Sequence, residues 1–261
     1  MELWLVDLQA AAPALEALER EVPRLSADDR ARAARLSEPG ERRLRLAAYM
    51  ALRIALERVG GVEVRRQPFA RAPGGKPHLG EAAPGFSLSH TGGLALLGVA
   101  RSRPIGVDLE EDRSLRMSAR RRREILAIGA GLAQGSASDG TDEASALQAW
   151  CRLEAYAKAT GEGVGRILSE LGLRRAPARL LAPPAIEAAA RRLALAAGLA
   201  VGDVRLPPGL YGAVACSGLR PVPRLRRFPA DKGAIARLLW SARAPWCPAG
   251  VPPVAGRQRL R

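Results

Sequence analysis

Three short apolar segments lie close together in the middle of the chain, and they constrain its fold more than any other feature. They run from Phe86 to Ser89, from Leu94 to Ala100 and from Ile105 to Glu110, with glycine, serine or proline between them. This spacing is typical of adjacent strands joined by tight turns. Longer segments with helical periodicity lie on both sides, as between Ser26 and Gly60. We therefore predict an α+β fold rather than a doubly wound parallel sheet.

The remaining elements are predicted from the same patterns. LWLVDL, from Leu3 to Leu8, and the segment from Gly209 to Ala215 are predicted strands. A basic helix is predicted from Arg116 to Leu132, and a second helix from Glu143 to Thr160. Between Leu171 and Gly202 two interpretations stay open, because the alanine-rich stretch favours a helix and its proline-rich flanks favour an irregular strand region.

The chain is strongly basic, and its charge is concentrated near the C-terminus. Its 261 residues include 41 lysines and arginines against 26 acids, a formal charge of +15. The segment from Arg220 to Arg261 holds ten basic residues and the single acid Asp231, which gives it +9 and leaves +6 for the rest. A basic surface suits nucleic acid, but aromatic residues are only 4% and no nucleic-acid-binding motif is found. Nucleic-acid binding is therefore the lesser alternative, and the proline-rich tail is predicted to pack loosely.

Composition also bounds the compartment in which the protein works. With 48% hydrophobic residues the chain can fill a globular core, and it contains no apolar run long enough to cross a membrane. The first residues lack the basic start and apolar core of a secretory signal, so we expect a cytoplasmic protein. We also expect a monomer. The cysteines Cys151, Cys216 and Cys247 include no CxxC pair, so neither a disulfide framework nor a zinc site is predicted.

Two carboxylates lie on the last of the three central strands. Asp108 and Glu110 are two positions apart, so on a strand both side chains project from one face while Val107 and Leu109 point into the core. Magnesium prefers oxygen ligands and often binds through one or two carboxylates together with phosphate oxygens of a substrate. The pair is a candidate magnesium site, and the alternative is a strand edge with two solvated acids.

A third carboxylate and an unusual lysine share one face of the helix predicted from Glu143 to Thr160. Glu154 and Lys158 are four positions apart, which places them on the same side of a helix. The alternative is an exposed salt bridge, worth about 0.3–0.5 kcal/mol. The chain has only two other lysines, Lys76 and Lys232, and otherwise uses arginine. A compact ammonium group near a third carboxylate suits the binding of a diphosphate.

The sequence FSLSHTGG places Ser89, His90 and Thr91 at the end of a predicted strand, before a glycine turn. There, hydroxyl, imidazole and backbone N–H groups can converge on an anion. The alternative is a structural histidine with a satisfied hydrogen bond. A serine hydrolase is disfavoured, because the sequence has no GxSxG motif and adjacent strand residues face opposite ways. His90 is therefore predicted to donate to a phosphate group.

Four motifs, taken in order, resemble those of the 4′-phosphopantetheinyl transferases of the larger, two-half class typified by the surfactin synthetase activator. They are Gly75-Lys76-Pro77, the strand ending in Ser89-His90-Thr91-Gly92, the GVDLE strand that contains Asp108, and the helix from Trp150 through Glu154 to Lys158. The likeness covers the chain from about Leu25 to Cys216. One departure is Leu153, because the family usually has a lysine before this glutamate.

The resemblance implies magnesium-dependent transfer of the 4′-phosphopantetheine arm of coenzyme A to a serine of an acyl or peptidyl carrier protein, with release of 3′,5′-ADP. Asp108, Glu110 and Glu154 would hold the metal, and Glu154 would also be the base for the serine hydroxyl. Lys158 and His90 would complete the catalytic set. The implied contacts to coenzyme A are Arg43, Arg45, Lys76, His78, Ser89, His90 and Lys158, with Arg42 as an alternative to the other two arginines.

The resemblance also implies two similar α/β halves, each a small antiparallel sheet with a long helix packed on it. The N-terminal half would be residues 1–104 with the adenine and 3′-phosphate contacts, the C-terminal half residues 105–218 with the metal site, and residues 219–261 a basic, partly disordered tail. An acidic carrier protein is expected to dock near Arg120, Arg121, Arg122 and Arg123. A catalytically silent relative that acts as a partner protein is the alternative that Leu153 leaves open.

Overall fold

The computed structural model describes residues 1–80, 83–101, 103–133, 140–174, 181–218 and 224–240. Within these ranges the helices are α1 (Leu8–Glu21), α2 (Ala27–Ala34), α3 (Pro39–Gly60), α4 (Ala119–Leu132), α5 (Glu143–Thr160), α6 (Val164–Glu170), α7 (Pro183–Ala196) and α8 (Lys232–Trp240). The strands are β1 (Glu2–Asp7), β2 (Ala70–Arg71), β3 (Pro77–His78), β4 (Gly85–Thr91), β5 (Leu94–Ala100), β6 (Ile105–Glu111), β7 (Ala200–Asp203), β8 (Leu210–Cys216) and β9 (Leu225–Arg227).

The strands form two sheets and one short ribbon. The first sheet has the order β4-β5-β1-β9, and the second has the order β6-β8-β7. Neighbouring strands are antiparallel, except that β9 lies parallel to β1. The ribbon consists of β2 and β3, which are also antiparallel. The predicted α+β fold with small antiparallel sheets is confirmed, and the internal similarity of the two halves stays a prediction.

Alternate residues of β1 show how the two sheets pack. Trp4 and Val6 face a core shared with α1 and α3, while Leu3 and Leu5 face a second core shared with β6 and β8. A third core joins the second sheet to α4, α5 and α7. The two sheets therefore pack against each other, and helices cover their outer sides.

Helix α5 lies very close to β6. A Cβ atom at Gly106 would be 2.0 Å from the carbonyl oxygen of Ala155, so a residue with a side chain at this position would force the helix away from the strand. This close approach brings Glu154 and Lys158 of α5 over the face of β6 that carries Asp108. The glycine of the GVDLE motif thus contributes to the site through packing.

The sequence leaves open whether the segment from Leu171 to Gly202 forms a helix or an irregular strand region, and the structure contains both a helix and a strand there. Helix α7 occupies its middle, and β7 begins at Ala200. Proline starts α7 because the first helical positions have no internal partner for an N–H group. Residues 175–180 lie outside the described part. None of the described helices is both long and apolar enough to cross a membrane.

Residues 224–240, which belong to the predicted tail, are packed on the N-terminal half. Strand β9 extends the first sheet beyond β1, and Phe228 packs edge-on against Trp4 with 6.1 Å between the ring centroids. Ile235 of α8 is fully buried in the core shared with α1 and α3. Loose packing is therefore wrong for these residues, because their apolar side chains complete a core that lies far away in sequence. Residues 219–223 and 241–261 lie outside the described part.

Replacing Ile235 by valine tests whether α8 belongs to the folded N-terminal half. Loss of one methylene from a close-packed core costs about 0.5–1.5 kcal/mol, so the free energy of unfolding should fall by that amount. Urea denaturation measures the loss. Leu195→Ala is the control, because Leu195 is exposed on α7. An unfolding curve of Ile235→Val that matches the wild type would contradict the packing of α8.

Candidate active site

A cavity of about 550 Å³ lies between the two halves. Its walls come from α2 and α3, from residues 69–77 around the ribbon, from β4, and from α5 with the residues that follow it. The Gly75-Lys76-Pro77 turn, the Ser89-His90 pair and the Glu154–Lys158 helix segment all contribute to these walls. Three of the four sequence motifs therefore line one cavity, and the fourth lies behind it on β6.

The residues that line the cavity give it an excess of positive charge. The cations are Arg32, Arg45, Arg71, Lys76 and Lys158, to which His90 can add. The acids are Asp29, Glu154 and Glu162. Asp29 is already neutralised by Arg53, whose guanidinium lies 2.7 Å from the carboxylate and is only 1% exposed. The cavity therefore suits a polyanionic ligand.

His90 lies at the end of β4, beside two of these cations. Although the side chain keeps solvent access at the cavity, partial desolvation lowers the pKa of its imidazole below the usual value, and the positive charges of Arg45 and Lys158 lower it further. The imidazole is thus neutral at pH 7 in the free protein. The structure brings together His90, Arg45 and Lys158, which come from three separate elements and were all predicted to contact the ligand.

Lys158 connects the cavity to the acid on β6. Its Nζ donates to Asp108 Oδ1 at 2.6 Å and to Ser89 Oγ at 3.1 Å. Ser89 Oγ in turn donates to the same Asp108 oxygen at 2.8 Å. Asp108 is 4% exposed, and its Oδ2 has no hydrogen-bond partner among the described residues. A buried carboxylate oxygen without a partner is costly and calls for a donor or a cation.

The three acids predicted to bind metal are close enough for Asp108 and Glu110 to affect the pKa of Glu154, but their carboxylates do not meet at one point. Burial raises the pKa of Glu154, and the charges of Asp108 and Glu110 raise it further against the opposing effect of Lys158. Glu110 is paired with Arg113 at 3.0 Å. The described residues hold no ready-made group of three metal-ligating side chains. Three neighbouring carboxylates and the unpartnered oxygen of Asp108 nevertheless fit a hard divalent cation in their chemistry.

Of the three neighbouring arginines of α3, one faces the cavity. Arg45 lines it, and its guanidinium lies 6.0 Å from the ring centre of Tyr49. Arg43 instead pairs with Glu16 of α1 at 2.6 Å, and Arg42 donates to the carbonyl of Leu36 at 2.9 Å. Each helical residue is rotated by about 100° from the previous one, so these side chains point in different directions. In this structure Arg45 lines the cavity and Arg43 is not among its described lining residues, and the contact of either arginine with coenzyme A stays a prediction.

Lys76 and His78 make contacts within the protein, and their predicted contacts with coenzyme A stay predictions. Lys76 lines the cavity, but its Nζ donates to the carbonyls of Ala159 at 2.8 Å and Ile105 at 3.0 Å. His78 is exposed on β3, accepts from Gly80 N–H through Nδ1, and is not among the described residues that line this cavity. The turn that contains Lys76 lies against the end of α5, where Gly74 touches the backbone of Gly161, so the ammonium group reaches backbone carbonyls there.

Two cavity arginines, Arg32 of α2 and Arg71 of β2, are absent from the sequence-based set. All but three of the 41 basic residues are arginines, so an arginine by itself carries no signal in this chain. The only hint is position, since Arg71 lies just before the Ala72-Pro73-Gly74-Gly75 turn. Only the fold shows that these two arginines line the cavity.

The departure from the family pattern at Leu153 is a packing feature. Leu153 is fully buried in the core between α5 and its neighbouring helices. The adjacent Arg152 is committed to Asp203 at 2.6 Å. Neither residue therefore supplies to the cavity the positive charge that the family lysine would carry.

The predicted docking arginines lie on α4, and most of them are paired. Arg120 and Arg121 contact Glu124 at 2.9 Å each, and Arg122 contacts Glu143 at 2.6 Å. Arg123 is exposed. The positive potential of this surface is therefore smaller than the arginine count implies.

Two curated proteins are similar to the chain, whereas no protein-family model matches it. The 4′-phosphopantetheinyl transferase HetI of Nostoc sp. is 34% identical over 199 residues, which cover 71% of this chain and 79% of the relative. The protein slr0495 of Synechocystis sp., whose name assigns it provisionally to the same class, is 28% identical over 155 residues, covering 56% of this chain and 61% of the relative. With this similarity and the motifs assembled around one cavity, the chain belongs to the 4′-phosphopantetheinyl transferase family.

Proposed function

We propose that the protein transfers the 4′-phosphopantetheine arm of coenzyme A to a serine of an acyl or peptidyl carrier protein, with magnesium as cofactor. The observation that carries the proposal is the convergence of Arg45, His90 and Lys158 on one cavity in a chain of this family. Coenzyme A bears a diphosphate and a 3′-phosphate, so it matches a cavity with excess positive charge. The named relatives act in the same transferase class.

The side chains divide into two groups by their placement. Arg45 and His90 come from the N-terminal half and would bind phosphate oxygens of coenzyme A. Lys158 comes from the C-terminal half and would exchange its contact with Asp108 for one with the diphosphate. Since each is charged or can become charged, the hydrogen bonds they donate to phosphate are of the stronger kind.

Asp108, Glu110 and Glu154 would hold the magnesium ion. The chemistry supplied by such an ion, when bound, is neutralisation of charge on the diphosphate oxygens. The Oδ2 of Asp108 is the strongest candidate ligand atom, because it is buried and has no partner among the described residues. In the metal-free state Lys158 provides the positive charge that Asp108 requires.

In the reaction, the carrier serine oxygen forms a bond to the β-phosphorus of coenzyme A. The bond between that phosphorus and the bridging oxygen breaks, and 3′,5′-ADP leaves with the electron pair. Glu154 accepts the serine proton, as its carboxylate lines the cavity and forms no ion pair with any residue that the structure describes. Lys158 stabilises negative charge on the leaving diphosphate oxygen.

An acidic carrier protein would approach the face formed by α4 and the segment before it. Arg116 and Arg123 are exposed there. Complementary charge of this kind mainly raises the association rate and fixes orientation. Substituting both arginines should therefore raise the KM for the carrier more than the KM for coenzyme A.

The test of the proposed function is to incubate the protein with coenzyme A, magnesium and apo carrier domains, and to weigh the carriers by mass spectrometry. We expect the mass of one phosphopantetheine arm to be added, and no addition to a carrier whose acceptor serine is alanine. Omission of magnesium should abolish the gain. Absence of a gain with acyl and peptidyl carriers alike would contradict transferase activity and favour a silent relative.

Binding of 3′,5′-ADP is expected to be accompanied by proton uptake at His90. The free imidazole has a lowered pKa because its surroundings partly desolvate it and because Arg45 and Lys158 are positively charged, and a bound phosphate favours its charged form and raises that pKa. Affinity should therefore be full below the pKa of the free imidazole, and the gain should be lost as the pH rises from that value through the pKa of the bound imidazole. Isothermal titration calorimetry in buffers of different ionisation enthalpy measures the uptake.

The two histidines of the chain give this experiment a matched control. His90→Asn should remove the proton uptake, whereas His78→Asn should leave it unchanged because His78 is not among the described residues that line the cavity. Uptake that persists in His90→Asn would assign the titrating group elsewhere.

A further inference from the structure

The turn at residues 74–77 is docked onto the C-terminal half through direct backbone contact. A Cβ atom at Gly74 would lie 1.7 Å from the carbonyl oxygen of Gly161, so only glycine permits this approach. Gly161 ends α5 with φ of 80°, a conformation that favours glycine. Two glycines from distant parts of the chain therefore make one contact at the edge of the cavity.

The ammonium group of Lys76 adds two hydrogen bonds to this contact. Its Nζ donates to the carbonyl of Ala159, in the last turn of α5, and to the carbonyl of Ile105, the first residue of β6. Carbonyl groups in the last turn of a helix lack helical partners and carry the negative end of the helix dipole. The ammonium group therefore satisfies acceptors at the point where β6 begins and α5 ends.

These contacts occupy two of the three donors of the Lys76 ammonium. The side chain is partly buried, and this burial lowers the pKa of the ammonium group to about 8. The ribbon that Lys76 holds carries Arg71, which lines the cavity and donates to Gly75 O at 2.5 Å. Moving the ribbon would move a cation of the ligand site.

We propose that Lys76 is a positioning residue, which clamps the β2–β3 ribbon to the end of α5 and thereby fixes one wall of the coenzyme A cavity. The clamp itself follows from the contacts, and its effect on coenzyme A rests on the proposed function. The competing role is a direct phosphate contact, as the sequence resemblance implies. The two roles predict different effects for a substitution of the neighbouring Gly74.

Two substitutions break the clamp by different means. Lys76→Met removes the ammonium group, and Gly74→Ala introduces a Cβ atom against Gly161 without changing any charge. We expect both variants to raise the KM for coenzyme A by at least about tenfold, with kcat within about twofold, because misplacing a positioning element by about 1 Å has effects of this order or more. Lys232→Met is the matched control, since Lys232 is a surface lysine paired with Glu21.

Hydrogen–deuterium exchange provides a readout that requires no enzymatic activity. Both variants should show faster exchange in residues 70–78 and at the end of α5, with no change in α1. If the wild type fails to modify any carrier but this local change is present, the clamp stands and the proposed function fails. Unchanged exchange in both variants would overturn the clamp.

Salt dependence separates positioning from direct contact. A displaced ribbon moves Arg71 equally in both variants, whereas a direct phosphate contact by Lys76 would be lost only in Lys76→Met and would weaken the dependence of coenzyme A binding on salt further. We therefore expect the same salt dependence in Lys76→Met and in Gly74→Ala. A raised KM in Lys76→Met alone, with reduced salt dependence, would overturn the proposal in favour of a phosphate contact.

A measurement on the wild type covers the case in which a variant does not fold. The chain has only three lysines, so ¹⁵N-lysine labelling gives a spectrum with few side-chain signals. On addition of 3′,5′-ADP the Nζ signal of Lys76 should shift less than that of Lys158. An equal or larger shift for Lys76 would overturn the positioning role.

Discussion

Replacing Glu154 by glutamine is expected to lower kcat for transfer of the phosphopantetheine arm by about 10²–10⁴-fold, the usual contribution of a general base. Glutamine keeps the shape of the side chain but neither accepts the serine proton nor contributes negative charge to the metal site. Folding should be unaffected, because the Glu154 carboxylate forms no ion pair with any residue that the structure describes. Initial rates measured by mass spectrometry of the carrier give the effect.

Glu170→Gln is the control for this substitution. Glu170 lies on α6 and is paired only with the exposed Arg166 among the described residues, so its loss should leave the rate within about twofold, as expected of a surface pair. A Glu154→Gln variant that retains more than about a tenth of the activity would remove Glu154 from the role of base. A large rate loss accompanied by unfolding would point to a structural role instead.

Replacing Arg53 by methionine is expected to reduce the free energy of unfolding by about 3–5 kcal/mol, the cost of leaving one member of a buried ion pair without its partner. Arg53 binds Asp29, donates to the carbonyls of Val64 and Gln67, and stacks on Phe69 at 3.8 Å. Its loss would leave a carboxylate and two carbonyls without this donor in a buried site. Urea denaturation followed by circular dichroism measures the change.

Two variants identify the source of this loss. Arg166→Met should cost at most about 1 kcal/mol, because Arg166 is 68% exposed and its ion pairs are solvated. Adding Asp29→Asn to Arg53→Met should recover part of the stability, since it removes the unpaired buried charge. If Arg53→Met costs less than about 1 kcal/mol, the buried network is not a major source of stability.

The site could be predicted from the sequence where its residues share one element. Asp108 lies on β6 as expected, and Val107 and Leu109 point into the core between the sheets. Glu154 and Lys158 both line the cavity from α5. Strand and helix periodicities are local properties of the backbone, so sequence spacing is enough to place such pairs on one face.

The sequence carried no information where a side chain meets a partner that is distant along the chain. Arg43 pairs with Glu16 of another helix, and His78 lies on the outside of the ribbon. The same holds for the tail, because the burial of Phe228 and Ile235 depends on a core built by the first 100 residues. The periodicity of a short segment cannot show which distant part of the chain its side chains will contact.

By itself, the sequence determined the α+β class, the strand that carries Asp108, the helix that carries Glu154 and Lys158, and the resemblance to the transferase family. Only the tertiary structure decided that Arg45 faces the cavity and that the ammonium group of Lys76 binds backbone carbonyls. The physical reason is that hydrogen-bond periodicity fixes the direction of a side chain relative to its own element. What that side chain meets depends on how distant elements pack.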